Sequence, residues 1–172
     1  SSLAASDVYK RQGLEVVSAI CSRKSLEKRL TGELGSLKLL DDWVDRLGLN
    51  YKLRAVPAGV LLHLTAGNVF VGAVDSLLSG ILTKNVNILK MSSTDPVFPL
   101  LFIESIKEND PEGLVWPHQA ALLWKGGDEL IENPLLQKKL TVVFWGGQEA
   151  AASIKKRIGS EARLIENGPR YS

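Results

Sequence analysis

The chain has 172 residues, 45% of them hydrophobic and 23% charged, with a formal net charge of +2. That length supports one domain with a real core, and the interspersed charges offer no basic block or aromatic–basic interleaving for nucleic acid. The single cysteine excludes an internal disulfide framework and a cysteine-based zinc site, and it suits a reducing cytoplasm.

In chain order, SSLAASDVYKRQ differs in texture from the rest of the chain. DVYKRQ is the in-frame translation of a transposon end used to prepare sequencing libraries. Residues 1–12 are therefore expected to be adapter read-through and are set aside. The natural chain is expected to begin upstream, and Tyr171-Ser172 is no evident domain end.

Residues 13–48 read as helical. Leu26, Leu30, Leu34, Leu37, Leu40, Val44 and Leu47 recur mostly at three- and four-residue steps. Gly32 and Gly35 weaken the middle, and Gly48 is a plausible stop. Residues 13–50 are accordingly expected to form a helical segment.

From Tyr51 short apolar runs alternate with helical segments. Strands are expected near 51–56, 59–64, 86–90, 119–124, 141–145 and 162–166, and helices near 69–82, 96–108, 127–132 and 147–158. The alternation predicts an α/β fold, a Rossmann-like, mainly parallel sheet flanked by helices, over residues 51–172. Continuous apolar strands such as VVFW suit a sheet covered on both faces. The longest apolar stretch, residues 69–82, contains Asp75, is too short for a bilayer and is not N-terminal, so neither a membrane span nor a signal peptide is expected.

Ligands of such sheets gather at the carboxyl ends of the strands. Those ends carry TAGN (65–68), KMSSTDP (90–96), KGGD (125–128) and WGGQE (145–149). Together they predict a crevice for a polar, phosphorylated ligand. Asn68 stands between two apolar runs, where it either caps the next helix or points at a ligand. Gly146-Gly147 is either a tight turn or a close approach to a diphosphate at a helix N-terminus. No GxGxxG is present. Lys90 suits a phosphate or ribose hydroxyl as a point charge, or is a solvated lysine ahead of a helix capped by Ser93, Thr94 or Asp95. His63 reads as a hydrogen-bonded core histidine, Cys21 as a small buried hydrophobe, and the four tryptophans as core or rim packing.

Five segments in order, PAGVLLHLTAGN (57–68), SGILTKNVNILKMSSTDP (79–96), KGGDELIENP (125–134), VVFWGGQEA (142–150) and ENGPRYS (166–172), resemble the nucleotide-binding domain of the aldehyde dehydrogenase superfamily. More closely, they resemble the acyl-CoA reductases typified by the fatty acid reductase of bacterial bioluminescence. The resemblance covers roughly the last two thirds of the chain. It places Asn68 at the superfamily's oxyanion-hole asparagine. It places Lys90 at the lysine of the adenosine ribose, and Gly146 and Gly147 at the turn before the diphosphate-facing helix. Ser93 falls where relatives preferring NAD carry a glutamate, which favours NADPH. Thr65, Ser92 and Gly126 join these as cofactor-binding candidates. Glu166 aligns with the general-base glutamate, which a thioester reductase does not need.

The resemblance thus implies a fragment of an NADPH-dependent reductase of long-chain fatty acyl-CoA or acyl-protein thioesters. It implies an acyl-cysteine intermediate whose cysteine lies downstream, so the fragment is expected to bind cofactor without turning over. No metal is implied. Self-association is an expectation for the full-length protein only, and bioluminescence does not follow. Two other readings stay open: an aldehyde-oxidising NAD(P)-dependent dehydrogenase, and a non-catalytic nucleotide-binding or scaffold domain.

Overall fold

Ser22 and Gly35 decide the first part of the chain. In the computed structural model, which describes residues 13–45, 48, 50–65, 70–93 and 97–167, helix α1 covers residues 13–21. Cys21, at its end, is half-buried rather than buried. Ser22 then takes extended backbone and its hydroxyl accepts from the Ser25 N–H at 3.3 Å, capping α2 (Arg23–Leu34). Gly35, at φ 83°, closes α2 by donating its N–H to Thr31 O at 2.8 Å. The helix expected to continue to Gly48 therefore ends well before it. A left-handed glycine ends the ladder of hydrogen bonds whatever the leucine spacing beyond it. Leu37 and Leu40 fall in a 3-10 turn, Leu37–Leu40, capped by Ser36. Val44 falls in a two-residue strand, β1 (Val44–Asp45), antiparallel to β2 (Lys52–Leu53). Of the strand expected over 51–56, only this short ribbon forms. These elements make one compact unit, ending at Pro57.

The second unit, from Ala58, matches the expected alternation closely. Its strands are β3 (Val60–Thr65), β4 (Val86–Met91), β5 (Gln119–Leu123), β6 (Thr141–Trp145) and β7 (Arg163–Asn167). Between them run α3 (Phe70–Leu82), α4 (Val97–Glu108), α5 (Glu129–Leu136) and α6 (Gln148–Arg157). All five strands pair in parallel, in the order β5-β4-β3-β6-β7. The fold is thus α/β with a Rossmann-like sheet. Among the described residues, no helix is long and apolar enough to cross a membrane.

Alternation along each strand builds two cores. Leu62, Leu64, Val142 and Phe144 pack with Leu136, Leu140, Ala151 and Ile154 in one buried cluster, on the face of α5 and α6. The α3 face carries His63, only 1% exposed. Its Nδ1 meets the Ser76 hydroxyl at 2.7 Å and its Nε2 meets Asn87 Oδ1 at 2.9 Å. The Asn87 amide donates to Asn85 O and to Gln119 Oε1, both at 2.9 Å, so Oδ1 must accept and His63 carries its proton on Nε2. Gln119 in turn donates to Val115 O at 2.9 Å, and Trp145 Nε1 donates to Ser76 Oγ at 3.3 Å. The expected core histidine is thus the centre of a polar chain across β6, α3, β3, β4 and β5. Among the described residues no buried side-chain nitrogen or oxygen lacks a partner.

Gly80 lets α3 approach this chain, because a Cβ there would collide with the Asn87 amide. Gly80→Ala should destabilise the protein by about 1–3 kcal/mol, read from urea unfolding. Burial lowers the His63 pKa below its ordinary value, more than the Asn87 hydrogen bond raises it. The native ring therefore stays neutral where the unfolded chain takes up a proton. Stability should fall as pH drops below about 6.5, by at most about 1.4 kcal/mol per unit, until the native pKa is reached. His63→Gln should flatten that part of the stability–pH curve.

Candidate nucleotide site

From β3 the chain lays down β4 and then β5 on one side; α5 then leads back to β6 on the other side of β3. The loops leaving β3 and β6 therefore diverge and open a crevice at the carboxyl edge. A cavity of about 270 Å³ lies there. Its lining includes Leu64 and Thr65 from β3, Lys90 from β4, and Phe144 and Trp145 from β6. The turn at Gly146-Gly147 and Ala150, Ser153, Ile154 and Arg157 of α6 form one wall; Gly126, Gly127 and Glu132 complete the other.

Thr65, Lys90, Gly126, Gly146 and Gly147, scattered over the length of the second unit, thus surround one space. Ser92, half-buried, and Ser93, exposed, follow β4 without lining it. Glu166 does not line it either: it stands opposite Phe144 in β7 and accepts from Lys155 Nζ of α6 at 2.6 Å. Asn68, and Thr94 and Asp95 ahead of α4, lie outside the described residues.

The two glycines after β6 do different work. A Cβ on Gly146 would meet the Phe144 ring at 2.5 Å, whereas a Cβ on Gly147 would meet nothing within 4 Å. Gly146 is thus bound to its place by packing, and Gly147 leaves the approach to α6 open. Gly147 is the N-cap of α6 and supplies no side-chain hydrogen bond, so the first-turn amides are uncapped by a side chain. Such amides, with the helix dipole behind them, suit a phosphate. Opposite, the Lys90 ammonium lies 6.0 Å from the centre of the Trp124 ring. A Cβ on Gly126 would come within 3.7 Å of Lys90 Nζ, so a larger side chain there would crowd the amine.

The turn carrying Gly126 is closed by Asp128 N–H on Lys125 O at 3.0 Å, with Gly127 at φ 80°. Asp128 then caps α5, its carboxylate accepting from Leu130 N–H at 3.1 Å.

Trp124, Glu132 and Arg157, to which the sequence assigned no site role, complete the floor. Glu132, 4% exposed, accepts from Trp124 Nε1 at 3.2 Å and from Gly127 N–H at 3.0 Å through Oε1. Its Oε2 accepts from Arg157 Nη2 at 2.8 Å. Arg157 also donates to Asn133 Oδ1 at 3.2 Å. The available signal was Glu132 itself, four residues before Leu136 on the apolar side of α5. Nothing local announces Arg157, which lies 25 residues on. Removing the carboxylate leaves the Trp124 and Gly127 N–H groups without their acceptor and the half-buried Arg157 without its counter-charge, so Glu132→Ala should cost about 2–4 kcal/mol in denaturant unfolding.

The whole chain, residues 1–172, matches the family model described as acyl-CoA reductase (LuxC). The long-chain acyl-protein thioester reductase of Vibrio harveyi is 34% identical over 158 residues, 91% of this chain and 33% of its own. That of Photorhabdus luminescens is 34% identical over 154 residues, 89% of this chain and 32% of its own. Long-chain acyl-protein thioester reductase 2 of Photobacterium leiognathi is 31% identical over 154 residues, again 89% and 32%. The chain thus spans about a third of the length of these curated relatives. With its full length matched and an α/β sheet of the expected kind, the chain belongs to the acyl-CoA reductase (LuxC) family.

Proposed function

We propose that this chain carries the cofactor-binding part of a cytoplasmic enzyme of the aldehyde dehydrogenase superfamily that reduces long-chain acyl thioesters to aldehydes with NADPH. The observation that carries the reading is the cavity at the β3/β6 divergence, with an uncapped helix N-terminus on one side and a lysine amine on the other. The names of the relatives supply the reaction class.

The residues present suit a dinucleotide. Leu64, Phe144, Ala150 and Ile154 give apolar walls for a base. The α6 amides behind Gly147 would hold diphosphate oxygens. Lys90 would reach the ribose and its 2′-phosphate, with Ser92 and Ser93 supplying hydroxyls beyond the strand end. Residues 90–93 carry no carboxylate to repel that phosphate. When bound, the cofactor supplies the hydride for the acyl carbon.

Asn68 is proposed to donate its amide hydrogen to the oxygen that gains charge when a cysteine attacks the thioester. Cys21, on α1 in the first unit, is given no such role; the acyl group is proposed to sit on another cysteine of the full enzyme. The donor would be acyl-CoA or an acyl-protein. Glu166 stands outside the cavity lining and pairs with Lys155, an arrangement that fits a reductase needing no general base there.

Titration of the chain with NADPH and NADH, followed by tryptophan fluorescence, tests the cofactor. NADPH should bind more tightly, and Lys90→Met should weaken it roughly 10- to 100-fold, the size of a lost charge-assisted hydrogen bond. Equal binding of both nucleotides, or none, would overturn the reading. In the full-length enzyme, Asn68→Ala should lower acyl-thioester-dependent NADPH oxidation by about 10²–10³ in kcat.

A further inference from the structure

We infer that Glu132 is a positioning residue for nucleotide binding: one desolvated carboxylate sets the separation of the two cavity walls. This rests on the nucleotide reading above. On one wall, Glu132 Oε1 holds the Gly127 N–H, and with it the turn that places Gly126 beside Lys90. The same oxygen holds the indole of Trp124, whose ring faces the Lys90 ammonium. On the other wall, Oε2 holds Arg157, the last residue of α6. Arg157 O accepts from Gln137 Nε2 at 2.7 Å, a second tie between α6 and the end of α5.

Stability alone does not explain a charge pair in this place. Its surroundings are an apolar cluster that includes Trp124, Leu136 and Ile154. Apolar residues of similar volume would often hold such a core as well or better, since two charges must be stripped of water. They could not accept from Gly127 and Trp124 while also aiming α6. A rigid support one layer behind the ligand is what keeps binding groups within a fraction of an ångström of productive geometry.

The test compares the wild-type chain with Glu132→Gln/Arg157→Met and with Glu132→Asp. The double variant keeps an acceptor for Gly127 and Trp124 but removes both charges. The single variant keeps the charge on a side chain one methylene shorter. NADPH and 2′,5′-ADP are titrated by tryptophan fluorescence, and binding is expressed per folded chain from circular dichroism. The double variant should keep an unfolding midpoint near wild type and yet bind both nucleotides at least tenfold more weakly. Lys90→Met should cost less in its background than in wild type, because the walls no longer hold the amine in place. Glu132→Asp, if the double variant fails to fold, should show the same selective loss. Wild-type affinity in the folded fraction of these variants would overturn the positioning role while leaving the nucleotide reading intact. A wild-type chain that binds neither nucleotide would remove both.

Discussion

The parallel pairing of β3 with β6 is the constraint on which the candidate site depends. These strands are far apart in sequence, and they are brought side by side with Leu62 opposite Val142 and Thr65 opposite Trp145. Because β4 and β5 have already been laid on the far side of β3, the chain leaves the two central strands in opposite directions. Backbone cannot fill the gap between diverging loops, and a cavity results where strand ends, a glycine turn and a helix N-terminus converge. Shift the register by one residue and Leu62 and Leu64 would change places with His63, burying the wrong groups on each face.

The same strands carry unlike chemistry on their two faces. Toward α5 and α6 lies the cavity, with Lys90 and the Glu132–Arg157 pair set among apolar side chains. Toward α3 lies the neutral chain from Trp145 through Ser76, His63 and Asn87 to Gln119, which ends on a backbone carbonyl. Trp145 belongs to both: it lines the cavity and donates to Ser76 behind the sheet. The cavity rim is thus fastened, through the exposed Trp145, to a hydrogen-bonded network whose centre, Ser76, His63 and Asn87, is buried. Such a network holds its members in one arrangement, which a site built from strand ends requires.

Much of this was legible residue by residue. Apolar runs bounded by glycine and polar residues announced all five strands of the main sheet, whereas the α5 helix expected from residue 127 begins only after Asp128, which caps it. The error came before Pro57. Leucines at helical spacing suggested continuation through Gly35, but periodicity reports which face is apolar and not whether the backbone turns. Gly35 and Ser36 end one helix and cap a different turn, so the leucines beyond are used in a 3-10 turn and Val44 in a strand. The role of Glu132 was hidden for another reason. A glutamate in a helix reads as solvated until its partner is known, and its partner is an arginine on the next helix.

What can be read along the chain is whatever rests on neighbours in sequence: strand or helix, cap or turn, the placement of Gly147 before α6 and of Lys90 at the end of β4. These follow from backbone sterics and local hydrogen bonds, which act over a few residues. The tertiary structure alone decided that Arg157 joins Lys90, Gly126 and Gly147 at the crevice while Ser92 and Ser93 do not line it, that Glu166 pairs with Lys155 away from it, and that Glu132 ties its walls. Those relations depend on strand order and on the burial of charge. Both are set by packing between segments far apart in the chain, where no local pattern records them.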